Sequence, residues 1–230
     1  MSISALLLFF GTLALSLWAT WRVKRVYLHY KDVPASSGIT GAEAAAEILQ
    51  RAGITDVEIV PHETMLGDHY DPIHKRLVLS KDNFYGTSLA ALGVSAHECG
   101  HAIQHAQGYA PLQFRTTIFP LANIGTSLSW LFIIAGLLFA PGFRVAGVSL
   151  LDVGILLFLF AVVFQVLTLP VEFDASKRAL VQLNQLGLVS PQEQTGAKRV
   201  LNAAALTYVA AAASAVLQLV RLLLIRDRRD

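Results

Sequence analysis

Four stretches of this chain run for about twenty residues with almost no charge, and a soluble fold has no place for so many. The first, ISALLLFFGTLALSLWATW (3–21), carries no charge and ends on tryptophans suited to a membrane interface. The second, 116–140, contains Pro120 but is long enough to span. The third, 149–170, is apolar apart from Asp152 near its start and Gln165. The fourth, 202–225, is rich in alanine and contains Gln218 and Arg221, so it fits either a span or an interfacial amphipathic helix. Apolar residues reach 54% and charged residues only 15%, against roughly 45–50% and about 25% in soluble domains. The deficit of charge lies in these stretches, because residues 22–115 have a water-soluble composition.

The first stretch has the length of a signal peptide. It lacks a basic lead and a small-x-small cleavage site before Trp21, which favours a retained anchor. Lysine and arginine bias sets the expected orientation. Residues 22–115 hold nine such residues, the connection between the second and third stretches holds Arg144, and the segment after the third holds Lys177, Arg178, Lys198 and Arg199. The two richer segments are therefore expected in the cytoplasm, with the N-terminus outside. The tail RDRRD (226–230) disagrees if the fourth stretch crosses, so its crossing stays open. A net charge of +2 gives no reason to expect nucleic acid; the basic residues beside the spans suit anionic lipid head groups. A single cysteine, Cys99, excludes an intrachain disulfide framework.

In the soluble portion, residues 22–38 are expected to form a basic and then Pro/Ser/Gly-containing connection. A helix should follow, capped by Thr40, with Ala45, Ile48, Leu49 and Ala52 on one face and Gly53 as its stop. Residues 57–62 and 75–80 are short β-branched runs, and LGDHYDP (66–72) between them suggests a turn, for a sheet of two or three strands. Residues 86–108, GTSLAALGVSAHECGHAIQHAQG, predict a helix capped by Thr87 or Ser88 and ended by Gly108.

That helix carries the chemistry. His97 and His101 stand four residues apart and share a face, so both imidazoles can reach one ion. Glu98 points roughly 100° around the helix, where it can act as a base on water beside the ion. With seven histidines and seven glutamates in the chain, chance would place His-Glu-x-x-His somewhere in roughly half a per cent of cases, so a polar stripe on an ordinary helix is the weaker reading. A catalytic zinc takes three protein ligands and keeps a position open. His105 lies on the same rigid helix and fits a supporting, interfacial or solvated role better, and Gln104 stands where a returning glycine turn would begin. Among the later acids, Glu172 and Asp174 in PVEFDASKRA fall where the third stretch returns toward the helix; Glu172 paired with Lys177 or Arg178 is the alternative.

AHECGHAIQH, DHYDP and LPVEFDASKRA, with spans in this order, resemble the YugP-like neutral zinc metallopeptidases of bacterial membranes over most of the chain. The resemblance implies a zinc-dependent membrane peptidase with His97, His101 and Glu172 as ligands to one zinc and Glu98 as base. More distantly the chain is similar to the HtpX/Ste24 group, whose third-ligand motif has Glu-Phe-x-Ala-Asp form. Glu172, Phe173 and Ala175 keep that register, but Ser176 replaces the distal aspartate, and Asp174 is expected to take over its orienting role.

The expected protein is thus a mainly α integral membrane protein, with three or four transmembrane helices and a small α+β zincin-like catalytic portion. Its parts are an anchor (1–21), a catalytic portion (22–115), a transmembrane hairpin (116–170), a third-ligand segment (171–201) and a C-terminal helix with a basic tail (202–230). The expected activity is endopeptidase cleavage of membrane or membrane-proximal proteins at the cytoplasmic side of a bacterial inner membrane. Glu98 would take a proton from water and pass it to the leaving amine. Substrate would add as a strand along the edge near 75–80, and His69, Tyr70 and Arg178 are candidate donors to the transition-state oxyanion. A zinc-binding scaffold without turnover and a zinc hydrolase of a non-peptide bond are the alternatives; a transporter is disfavoured because charges within the spans are sparse.

Overall fold

The computed structural model describes residues 3–138, 144–145 and 147–227. The ends of the expected anchor (1–2), second span (139–140) and basic tail (228–230) lie outside the described residues. The chain forms two compact units. One takes residues up to 19, 114–169 and from 208 onward; the other takes 20–113 and 170–207.

The first unit consists of apolar helical turns from α1 (Ile3–Lys31), α5 (Ala110–Leu138), α6 (Leu150–Gln185) and α7 (Gln194–Arg226). All four helices are long and apolar enough to cross a membrane. Large apolar side chains such as Leu121, Leu131 and Phe160 remain exposed, as a bilayer solvent requires. Small residues set the approach of α5 and α6. A Cβ on Gly136 would lie 2.6 Å from the Leu151 nitrogen, and one on Gly154 2.8 Å from the Ile133 nitrogen. Such close packing of main chain is how membrane helices gain contact without a hydrophobic drive. Ile133, Leu151, Ile155, Phe158 and Leu222 fill the contact. Arg226 Nε lies 2.7 Å from Asp152 Oδ1, which sets the end of α7 beside the start of α6. Within this unit the end of α7 is therefore antiparallel to the start of α6. The protein is an integral membrane protein of mainly α class with a small mixed sheet.

The second unit has a true hydrophobic core. Thr40 caps α2 (Gly41–Arg51) through a reciprocal box, its Oγ1 accepting from the Glu43 amide at 3.2 Å while the Glu43 carboxylate accepts from the Thr40 amide at 2.7 Å. Ala44, Ala45, Ile48 and Leu49 form the buried face. Strands β1 (Glu58–His62), β2 (His69–Asp71) and β3 (Arg76–Ser80) form one sheet in the order β1–β3–β2. β1 runs parallel to β3 and β2 antiparallel to it. This overturns the expected docking edge near 75–80: β3 buries Leu77 and Leu79 and is paired on both sides, so the free edges belong to β1 and β2. A strand thus occupies part of the expected turn 66–72.

Two helices are longer than their composition suggested. Residues 22–31, expected as connection, continue α1, because Val26, Tyr27 and Tyr30 keep a helical spacing and bury against the core. α6 passes through Pro170 for the same reason, since Val171, Ala175, Ala179 and Leu183 recur every four residues and are all fully buried. After the single turn α3 (Lys81–Phe84), Ser88 caps α4 (Leu89–Ala106), its Oγ accepting from the Ala91 amide, and Gly108 closes the helix at φ +64°. α4 meets α6 at Gly100. A Cβ there would sit 2.5 Å from the Ala175 carbonyl oxygen, so only glycine lets the two main chains come this close. That contact positions the site.

Candidate metal and catalytic site

α4 presents His97 and His101 on one face, with ring centroids 4.9 Å apart and planes at 80°. α6 brings Glu172 to them across the Gly100–Ala175 contact. Its Oε2 lies 3.2 Å from His97 Nε2 and 3.5 Å from His101 Nε2. One ligand atom from each of the three lies within 4.8 Å of the others, the one such cluster among the described residues. All three are buried, Glu172 to 1% exposure. Donors about 2.0–2.1 Å from a tetrahedral zinc stand about 3.3 Å apart, so the Glu172 separations suit that ion. Two imidazoles and a carboxylate are also donor types zinc accepts. The residues present therefore fit a zinc ion.

Glu98 is buried beside this cluster. Burial, then the negative charges of Glu172 and Asp68, push its carboxyl up to about 7, against opposing attraction from His97 and His69. A pKa raised by folding contributes stability that is complete below the ordinary value of 4.5 and lost as pH rises through about 7. The metal-free protein should therefore lose on the order of 3 kcal/mol over that window. Thermal unfolding of chelated protein across this range should show that slope, and Glu98→Gln should flatten it. Equal slopes in the two proteins would contradict the burial argument.

Around the three residues lies a set of polar contacts. Ser176 Oγ stands 3.2 Å from His97 Nδ1. His101 Nδ1 lies 3.0 Å from Gln104 Oε1, and Gln104 Nε2 donates to the Val171 carbonyl and to Asp174 Oδ2, both at 2.8 Å. Arg178 donates to Asp174 at 2.5 Å and to Gln107 at 2.5 Å, and its guanidinium lies over the Tyr109 ring. Both positions of the third-ligand motif thus face a histidine. The serine at the distal register position itself meets His97, while Asp174 reaches toward His101 through Gln104. Arg178, one alternative partner for Glu172, closes on Asp174 instead.

The remaining sequence candidates sit on or beside the edge strand. Tyr70 Oη lies 2.8 Å from His105 Nδ1, which keeps His105 apart from the three-residue cluster. His69 Nδ1 lies 2.8 Å from the Gly67 carbonyl, an acceptor, so Nδ1 carries the hydrogen there. Asp68 receives the Ser80 amide at 2.7 Å, and Asp71 pairs with His74 at 2.6 Å, so DHYDP holds the sheet as well as lining it. Gln104 and Ser176 are the residues sequence reasoning gave no role. The available signals were the helical offset of Gln104 from His101 and the place of Ser176 in the third-ligand motif.

The family model described as "Putative neutral zinc metallopeptidase" matches residues 5–227. The chain belongs to this family. It is 43% identical over 215 residues to the "Putative membrane protease YugP" of Bacillus subtilis (strain 168), an alignment covering 94% of this chain and 93% of that protein. No solved structure matches the chain. Membership supports a protease, and it agrees with a buried His97, His101 and Glu172 cluster compatible with zinc.

Proposed function

We propose that this protein is a membrane-integrated, zinc-dependent endopeptidase of the gluzincin type, holding one zinc per chain on His97, His101 and Glu172. The observation that carries the reading is the convergence of these three buried side chains beside a buried Glu98. Zinc bound there would act as a Lewis acid toward a carbonyl and lower the pKa of water.

The chain's own residues do the rest. Glu98, buried beside the three ligand side chains, accepts a proton from the attacking water and delivers it to the leaving amine nitrogen. The β2 edge, His69–Asp71, offers main-chain hydrogen bonds to an extended substrate running beside α4. His69 lies close enough to act electrostatically on Glu98, and with Nδ1–H given to the Gly67 carbonyl it can donate from Nε2 to the developing oxyanion only as an imidazolium. Tyr70 and Arg178 are less suited to that task, because Tyr70 pairs with His105 and Arg178 with Asp174 and Gln107. Such a site takes unfolded segments of protein, and Glu172 follows the apolar run of α6 by two residues after Pro170. Membrane proteins and membrane-proximal tails at the cytoplasmic face of a bacterial inner membrane are therefore the proposed substrates. The lysine and arginine distribution supports that side.

Purified protein in liposomes should cleave a quenched fluorescent peptide, lose the activity on chelation and recover it with stoichiometric zinc. Zinc bound without cleavage of any peptide in a diverse library would return the scaffold or non-peptide reading.

A further inference from the structure

We infer that Gln104 decides which nitrogen of His101 carries a proton, and so which nitrogen is left for the metal. The inference rests on the proposed ligand set and adds a positioning residue to it. Gln104 is fully buried and stands three residues beyond His101 on α4. One end of its amide faces two acceptors on α6, the Val171 carbonyl and Asp174 Oδ2, each at 2.8 Å. A main-chain carbonyl can only accept a hydrogen bond, and Oδ2 already receives Arg178 Nε. The NH2 group must therefore face α6. A flipped amide would set oxygen against oxygen at both contacts and forfeit both donations to α6.

The consequence falls on His101. With the NH2 fixed, Oε1 is the atom 3.0 Å from His101 Nδ1, and an amide oxygen can only accept. Nδ1 must supply the hydrogen. Nε2, which faces Glu172 at 3.5 Å, is then the nitrogen available to a metal. The chain of contacts is continuous from Arg178 through Asp174 and Gln104 to His101, so it ties the α6 main chain to the orientation of a ring on α4. His97 is held differently. Its Nδ1 meets the Ser176 hydroxyl, which can donate or accept, so that contact leaves its proton free to move. One imidazole is fixed and the other adaptable.

The test uses full-length, metal-free protein in detergent with 15N-labelled histidine, at about pH 8, above the ordinary imidazole range. In wild type, His101 Nδ1 should give the shift of a protonated nitrogen. Gln104→Met has similar bulk and no acceptor, so the Nε2–H form should appear, and zinc affinity, read by competition with a chelating dye, should fall about 10–100-fold. Gln104→Glu gives up both donations to α6 but keeps an acceptor, so the Nδ1 proton should return. A purely structural role would make the glutamate at least as damaging as the methionine. An unprotonated Nδ1 in wild type overturns the inference without any variant, as does a zinc affinity in Gln104→Met within about threefold of wild type. Both readouts are independent of turnover. A wild type that binds zinc and cleaves nothing would remove the peptidase reading and leave this one standing.

Discussion

Glu98→Gln should lower kcat by about 10²–10⁴-fold, the usual worth of a positioned general base, while the protein keeps its zinc. Glutamine matches the shape of the carboxylic acid but cannot take a proton from water near neutral pH. Burial already makes the ionised form costly, so a neutral amide should be accommodated without unfolding. Removal of the base therefore separates chemistry from assembly. Metal content and kcat on the same preparation check it. Turnover within about threefold of wild type would show that another group is the base.

Gly100→Ala should be nearly as damaging by a different route. The new Cβ would lie 2.5 Å from the Ala175 oxygen and 3.0 Å from its carbonyl carbon and Cα. These are main-chain atoms, so no side chain can swing aside and α4 and α6 must part. Overpacking of this kind costs about 1–3 kcal/mol. The larger effect is on the site, because Glu172 reaches the histidines only across this contact, and a displacement of about 1 Å can cost about 10²-fold in rate. Zinc affinity and melting temperature should both fall. Ala175→Gly should not rescue them, since the obstruction is main chain. A rescued double variant, or unchanged zinc affinity in Gly100→Ala, would contradict the close contact.

The membrane class was legible because charge is absent over four long stretches, and absence of charge is a local property. The metal motif was legible for a similar reason: four-residue spacing on a helix fixes a face before any tertiary contact forms. Glu172 was narrowed to a short list by the scarcity of later acids and singled out by resemblance. What stayed hidden depended on neighbours distant in sequence. Residues 22–31 look like a solvated linker until their apolar face meets the core, and Pro170 looks like a stop until the four-residue period beyond it is buried. The edge strand β2 was hidden inside a segment rich in turn residues, with Leu66 and Lys75 at positive φ on either side. That left β3 to be mistaken for an edge. The separate contacts of Asp174 and Ser176 were equally out of reach. They follow from the crossing of α4 and α6, which sends position 176 to His97 and position 174 to Gln104.

Residues 75 positions apart, on two helices, are proposed to hold one metal. Metal analysis of detergent-purified wild type beside Glu172→Ala tests this assignment most directly, with circular dichroism to show that both are folded. About one zinc per wild-type chain is expected, as a three-ligand site with an open position requires, with its loss in the variant. Equal zinc in a folded Glu172→Ala protein would contradict the assignment.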